Sequence, residues 1–521
     1  MLLPPDVREF VPDGHLARFV VEVVEDIDTS LLHARHPNDR EGRPAYNPDV
    51  LLALCLYGAS AGIRTSRKLE ALATVDLAAR YITANTVPDH STIARFLRDH
   101  QGAFKAIFLE FLRLCAEAGM VRVGVVALDG TKVAANASLA ANASQDRIAQ
   151  EAAAIVEEML ANDEEEDALF GPDRRGDELP PDLADRRRRK ERLSRLNAAL
   201  ARIDEREAEA NAEGARRKQR YEERAQAGEG PTGGVPKMGT QEAIWHAEAN
   251  LAAARAKVEE AQRRRQALLE ERARQGRKPH GPPPTRLARK LNEAEARLAK
   301  AKAAFASAKL ERPKTRRANT TDPDSRIMKT RQGWIQGYNA QAVVSQDGVI
   351  VAADVTDDPT DVRHFDPMVK ATEENLAFVG AGEALGTVLA DAGYFSEDNL
   401  TSPGPDRLIA TTKSWKLRKK VREEGRPSGP PPQDATPAEA MEHRLTTEEG
   451  EAVYKLRCQT VEPVFGQVKE VRGLRRLRRR GLGPATAEWN FECAVHNLLK
   501  LFRHRHSYSL GCRSLLVAEW A

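Results

Sequence analysis

Three acidic residues stand where acids do chemistry. Asp129 follows the apolar run 121–128 (VRVGVVAL), Asp391 follows 386–390 (GTVLA), and Glu462 directly precedes Pro463. Each run has the length and composition of a buried strand, so each aspartate is expected just past a strand's end. In open α/β sheets, ligands bind at the carboxyl ends of the strands. One aspartate there is common as a helix cap or turn former. Two, followed by an acid on a late helix, are the layout of a two-metal phosphoryl-transfer site. Mg2+ is hard and prefers carboxylate oxygen. Two ions about 3.5–4 Å apart stabilise both the attacking and the leaving oxygen of an in-line displacement. Acids this far apart in sequence converge only if the fold brings them together.

The elements that must position them alternate in type. Residues 334–344 and 349–355 are predicted to form a strand pair, joined by a turn holding the Asp347-Gly348 hairpin signal. A helix is predicted near 365–376 and a further short strand at 408–411. Strands alternating with helices predict an α/β core. Residues 1–120 read as helical, with Thr65, Ser66 and Ser91 as N-cap candidates. The stretch 88–96 (PDHSTIARF) is predicted to be a turn and a short helix. It fits either a helix-turn-helix offering Thr92, Arg95 and Arg98 to a DNA groove or a plain helical bundle. The proline-rich segment 427–437 is predicted to be a flexible excursion. A helix is predicted to begin near Pro463, because proline is favoured in the first helical turn.

The bulk charge conceals unlike parts. The 521 residues carry 80 Lys+Arg against 77 Asp+Glu. From 467 to 505 there are ten Lys/Arg and three Asp/Glu, and Arg472, Arg475, Arg476, Arg478, Arg479 and Arg480 crowd nine positions. Such residues neutralise phosphates with strong, salt-dependent affinity. The stretch 141–310 holds 34 Lys/Arg and 31 Asp/Glu with four aromatic residues, a long-helix composition. Ile244, Leu251 and Val258 lie seven apart, with Ala247, Ala254, Ala261 and Leu268 at d-like offsets. Leu287, Leu291, Ala294, Leu298, Phe305 and Ala308 repeat the pattern after a break at 276–284 that no helix crosses. An antiparallel coiled-coil hairpin is predicted, joined by a helix with Leu193, Leu196, Leu200 and Ile203. Its seams either pair two copies or close on each other within one chain. The acidic run 163–167 is predicted to be a solvated loop, and the basic run 186–190 either a DNA contact or a solvated helix start. The five cysteines show no Cys-x-x-Cys spacing, which argues against a disulfide framework and a cysteine zinc site. With no signal-peptide pattern and no apolar run of about 18–20 residues, a soluble cytoplasmic protein is expected.

The residues around the acids carry a resemblance. Leu128-Asp129-Gly130-Thr131-Lys132 with Ala135-Asn136-Ala137-Ser138 resembles the first-aspartate block of DDE transposases from bacterial insertion sequences. Asp322-Pro323-Asp324-Ser325-Arg326 with Gly337-Tyr338-Asn339-Ala340-Gln341 resembles their second block. Leu389-Ala390-Asp391-Ala392-Gly393-Tyr394 resembles their second-aspartate block. Val461-Glu462-Pro463-Val464-Phe465-Gly466, with Arg480-Gly481-Leu482 and His496-Asn497-Leu498, resembles the glutamate block and tail. The likeness spans the chain except about 140–312 and 415–450. It implies an α/β RNase H-like catalytic core behind an all-α N-terminal domain. It implies two Mg2+ or Mn2+ ions held by Asp129, Asp391 and Glu462, cleavage at transposon ends, and strand transfer into target DNA. The implied partners are DNA, as end inverted repeats and as target, and a second copy in a synaptic complex, with no membrane.

Related enzymes often show Tyr-x2-Arg-x3-Glu-x6-Lys. Here Tyr454-x2-Arg457 and Glu462-x6-Lys469 fit, but four residues separate Arg457 from Glu462. The extra residue rotates Tyr454 and Arg457 by about 100° about a helix axis, so both are expected on a separate segment or beyond a kink. Lys469, Arg457, Tyr454 and Arg95 join the arginine run as candidate DNA contacts. Trp415 is expected either to stack on a base or to sit in the core, and His364 and His496 are expected in core or hydrogen-bonding roles. The expected domains are 1–120, helical and DNA-binding; 121–139 and 313–414, catalytic; 140–312, the helical insertion; 415–450, a flexible insertion; 451–506, catalytic helix and basic tail; and 507–521. Two other readings remain open: a nuclease of the same fold without strand transfer, and a non-catalytic DNA-binding protein.

Overall fold

The computed structural model describes residues 6–34, 46–170, 185–227, 229–231, 236, 240–275, 285–310, 316–381 and 384–518. They form two compact units, Met1–Ala141 with Asp324–Ala521, and Asn142–Pro323. Among the described residues, the first unit's N-terminal part holds the α-helices α1 (Leu16–Asp26), α2 (Ser30–His33), α3 (Pro48–Ser60), α4 (Ser66–Val75), α5 (Leu77–Ile82), α6 (His90–Asp99) and α7 (Phe104–Glu117). Thr65 caps α4, accepting the Lys68 amide, as its side-chain chemistry predicts. Asp89 rather than Ser91 caps α6, because its carboxylate takes the Ser91 and Thr92 amides together. Seven residues join α5 to α6, longer than the three- or four-residue turn of a helix-turn-helix.

The chain then enters the sheet through β1 (Val125–Ala134) and leaves it for the second unit. There β2 (Asn142–Ser144) pairs antiparallel with β3 (Arg317–Asn319), and between them the described residues form the helices α8 (Gln145–Phe170), α9 (Asp185–Gln226), α10 (Gln241–Arg274) and α11 (Thr285–Leu310). Successive helices pack on one another. Ile148 and Ile155 of α8 meet Leu196 and Ile203 of α9, and Val258 of α10 meets Leu291 and Ala294 of α11, so the seams close within the chain. The acidic run 163–167 lies inside α8 instead of a loop. The break at 276–284 and the side chains of 186–188 fall outside the described residues.

Back in the first unit come β4 (Arg326–Thr330), β5 (Gly333–Ser345), β6 (Ile350–Thr356), α12 (Phe365–Phe378), β7 (Thr387–Ala390), α13 (Glu397–Thr401), β8 (Arg407–Ile409), α14 (Ser414–Glu424), α15 (Pro437–Thr446), α16 (Glu448–Gly466) and α17 (Leu482–Ala518). The sheet runs β4-β5-β1-β7-β8, with β6 also on β5. β1, β7 and β8 are parallel; β5 is antiparallel to β1. Gly348, at φ +74°, makes the β5–β6 turn that Asp347-Gly348 foretold. Helices α12, α16 and α17 pack on the sheet, and the fully buried Trp489 of α17 donates its indole N–H to the Gln341 carbonyl at 3.0 Å.

Three expectations fail here for local reasons. The run after Leu128 stays extended to Ala134, because β5 pairs with β1 along its whole length. Segment 415–450 carries two helices, α15 being started by a Thr436–Glu439 capping box with Pro437 in its first turn. Pro463 lies inside α16, which begins at the Thr447 cap with Glu448, Glu449 and Glu451 in its first turn. No described helix is long and apolar enough to cross a membrane.

Candidate active site

β1 and β7 place the two aspartates. Their last parallel pair is Leu128 and Ala390, so Asp129 and Asp391 are the next residues on neighbouring strands. Asp129 is therefore not beyond its strand but within it, opposite Ala342 of β5. β7 stops at Ala390, and past that point one edge of β1 is open until Ala134. There the segment after α16 closes it: the Ala134 amide donates to the Arg475 carbonyl at 3.1 Å, and the Leu477 amide to the Ala134 carbonyl at 2.8 Å. Between these two clasps lies a slot about five residues long, roughly 17 Å at the rise of a strand.

α16 crosses that slot. Glu462 lies on it, five residues after Arg457 and eight after Tyr454, all on one continuous helix. No separate segment or kink is required, because long side chains span the angular offset. The Arg457 guanidinium sits among the three acids, with Nη2 2.9 Å from Asp129 Oδ2 and 3.8 Å from Asp391 Oδ2, and Nη1 3.8 Å from Glu462 Oε1. Arg457, expected as a DNA contact, is instead buried against the carboxylates. The Tyr454 hydroxyl donates to the Ala390 carbonyl at 3.2 Å, bracing the end of β7. After Gly466 the helix widens into a π turn, Gln467–Val471, a distortion frequent at functional sites. That turn carries Lys469 to the open edge of β1, where Nζ donates to Thr131 Oγ1 at 2.9 Å and to the Lys132 carbonyl at 3.1 Å. Burial pushes the Lys469 ammonium below its ordinary pKa.

A fourth carboxylate belongs to the site, and sequence reasoning missed it. Asp361, after β6, accepts from Asn339 Nδ2 (2.6 Å), Gln341 Nε2 (3.0 Å) and Lys132 Nζ (3.2 Å). A Cβ added to Gly393 would lie 2.9 Å from Asp391 Oδ1 and 3.1 Å from Asp361 Oδ2, so the two acids face one another across that glycine. Gly130 is equally constrained, since a Cβ there would meet Gln341 Nε2 at 2.4 Å and Asp361 Oδ1 at 2.6 Å. The available signal was Asn339-x-Gln341, two buried amides on one face of a largely apolar strand segment.

The electrostatics follow from crowding. Burial, then the neighbouring charges of Asp391 and Asp361, push the Asp129 carboxyl up to about 6, against the opposing pull of Arg457 and the Gly130 amide. A native pKa above the ordinary value of about 3.9 means that the folded state binds more protons between pH 4 and 6, so this group's contribution to stability falls as pH rises through that window. The shift of about two units corresponds to about 3 kcal/mol. Thermal unfolding of the metal-free protein is expected to show Asp129→Asn melting several degrees above wild type at pH 7.5, with the gap closing at pH 4.5. An equal gap at both pH values would remove the charge explanation.

The arginine run divides. Arg475, Arg476, Arg478 and Arg480 are exposed, although Arg475 pairs with Glu470 and Arg480 Nε donates to the Asn136 carbonyl at 3.2 Å. Arg479 is half-buried and donates to Gln101 Oε1 at 3.4 Å. Arg472 is 4% exposed and cannot reach a phosphate. It shares the buried Glu492 of α17 with Arg64, whose Nη2 lies 3.0 Å from Glu492 Oε2. One turn earlier, Glu488 accepts the amides of Arg478 (2.9 Å) and Arg479 (3.4 Å). Two carboxylates of α17 thus fix the loop whose arginines face solvent. Arg95 is exposed on α6, and Trp415 is exposed on α14 instead of in the core. His496 is buried, its Nε2 2.9 Å from the Gly348 carbonyl. Among the described residues no three His, Cys, Asp or Glu surround one point as metal ligands; Arg457 stands in the middle of the acids.

Two family models match the chain. One described as "Transposase domain (DUF772)" matches residues 5–99, and one described as "Transposase DDE domain" matches residues 431–502. The first covers most of the helical region, the second α15, α16 and the start of α17. No curated protein and no solved structure matches.

Proposed function

The chain belongs to the DDE transposases of insertion-sequence type, and on that premise we propose that it cuts DNA at the ends of its element and joins the freed 3′-hydroxyl to target DNA, using Asp129, Asp391 and Glu462. The convergence of these three acids, from two neighbouring strands and one helix, carries the proposal. The six-stranded sheet, in which β1, β7 and β8 are parallel and β5 runs antiparallel to β1, β4 and β6, supports an RNase H-like core with its flanking helices.

The donor set fits a hard divalent cation. All four acids offer oxygen alone, and the raised Asp129 pKa marks a site short of positive charge. Asp129, Asp391 and Glu462 are the residues that would hold Mg2+ or Mn2+, which when bound supplies charge stabilisation to the attacking and leaving oxygens. The chain's own groups do the rest. Arg457 balances the acids and is within reach of a phosphate placed over them. Lys132 holds Asp361 beside Asp391. Lys469, fixed at the edge of β1, stands ready for the phosphate backbone that runs along the slot. Exposed Arg475, Arg476, Arg478 and Arg480 continue that track with sequence-independent contacts. A synaptic homodimer, pairing two ends, belongs to the same reading.

The test is strand cleavage of a duplex carrying the element's end, with and without Mg2+ or Mn2+, followed by joining of a pre-cut 3′-hydroxyl end. Cleavage and joining that both require the cation are expected. Cleavage without joining would reassign the chain to a nuclease of the same fold. Duplex binding without either reaction would leave a non-catalytic binding protein.

A further inference from the structure

The hairpin of β4 and β5 extends beyond the slot, and its tip is outside the core. Arg331, Gln332, Gly333 and Trp334 are all exposed, and Trp334 keeps 60% of its surface in water. Lys329, also exposed, stands directly opposite Trp334 in the ladder. A large exposed aromatic between two cations is a binding feature. Its placement says what it binds. At the root of the hairpin, Gly337 of β5 pairs with Ala134 of β1, the same residue to which the arginine loop is clasped. Asp129, the arginine loop at Ala134, and Trp334 therefore follow one another along a single ladder. Ala134 lies five positions beyond Asp129, and Trp334 three positions from Gly337. At about 3.3 Å per residue the path from the acids to the tip is about 26 Å. Along B-DNA, at 3.4 Å per base pair, that is about eight base pairs.

We propose that the tip of the β4–β5 hairpin is a second DNA contact, about eight base pairs from the phosphate that is cut. Lys329 and Arg331 neutralise backbone phosphates there, and the Trp334 indole packs on sugar and base edges of the minor groove. The contact rests on the reading of Asp129, Asp391 and Glu462 as a DNA-cutting site. Duplex DNA is favoured over an acidic protein because the loop that carries the exposed Arg476 and Arg478 is clasped at Ala134, on the ladder between the acids and the tip.

The experiment uses the full chain and two measurements. In fluorescence anisotropy with a 30-base-pair duplex over a salt series, the Lys329→Ala/Arg331→Ala variant is expected to reduce the slope of log K against log salt by about 2. Trp334→Ala is expected to weaken binding about tenfold, and Trp334→Phe to keep most of it. In hydroxyl-radical footprinting on the element's own end, the Trp334→Ala variant is expected to lose protection about eight base pairs from the cut while retaining it at the cut. Wild-type slope and footprint in all three variants would overturn the hairpin contact and leave the DNA reading standing. A wild-type protein with no affinity for duplex DNA would overturn that reading, and the contact with it.

Discussion

Asp129→Asn is expected to lower cation-dependent strand cleavage at least a thousandfold, about 4 kcal/mol of transition-state stabilisation. Asn keeps the shape but loses the charge. Of the three acids Asp129 is the most enclosed, with 17% of its side chain exposed against 43% for Asp391 and 58% for Glu462. Charge interactions strengthen as water is excluded, so Glu462→Gln is expected to lose less, about a hundredfold. Duplex affinity, which the proposed function assigns to the exposed basic residues away from the acids, is expected to stay within about threefold of wild type in both variants. The measurement is single-turnover cleavage on an element end, beside anisotropy at the same salt. Full cleavage by Asp129→Asn would refute the assignment of the acids. The same substitution is expected to stabilise the metal-free protein at pH 7.5. A residue whose removal improves the fold and abolishes the reaction is held in place by function.

Glu492→Leu is expected to destabilise the protein by about 3–5 kcal/mol, the range for breaking a buried ion pair from one side. Glu492 is 1% exposed and is the carboxylate partner shared by two buried guanidinium groups, Arg64 from the α3–α4 connection and Arg472 from the loop after α16. Without it both cations remain out of water with their charge uncompensated. Because Arg64 also donates to the Arg472 carbonyl, the arginine loop loses its anchor, and weaker duplex binding should accompany the lower stability. Urea unfolding and anisotropy on one preparation check both. The double variant Arg64→Leu/Glu492→Leu, which leaves fewer unpaired charges, should recover part of the loss. A single variant as stable as wild type would show that the pair contributes nothing.

The sequence made the site partly legible. β7 and the β5–β6 hairpin stand as read, because short apolar runs and an Asp-Gly turn are local signals. Local signals also misled. Asp129-Gly130 resembles a strand end, yet β5, about two hundred residues away, keeps the strand extended. Pro463 resembles a helix start, yet it lies inside α16, which the Thr447 cap and the glutamates of its first turn begin well upstream. Density of charge does not reveal direction: Arg472 and Arg476 look equivalent in the sequence, but α17 supplies a buried glutamate to the first alone. Asp361 carried no spacing that tied it to the other acids, since Asn339 and Gln341 hold it through tertiary contact.

The β2–β3 clasp at the base of the inserted helices has a consequence for the order of assembly. Lys132 and Asn339 are partners in the β1–β5 ladder although 207 positions separate them. If α8–α11 fold first, through contacts between successive helices, the pairing of Asn142 with Asn319 brings the two flanking segments together. The loop left to close is then about thirty residues. The entropy saved in joining β1 to β5 is about 1.7 kcal/mol by loop-length scaling. Kinetically, a long-range ladder becomes a nearly local one, and the strand that carries Asp129 finds its partner early, before the rest of the sheet is in place.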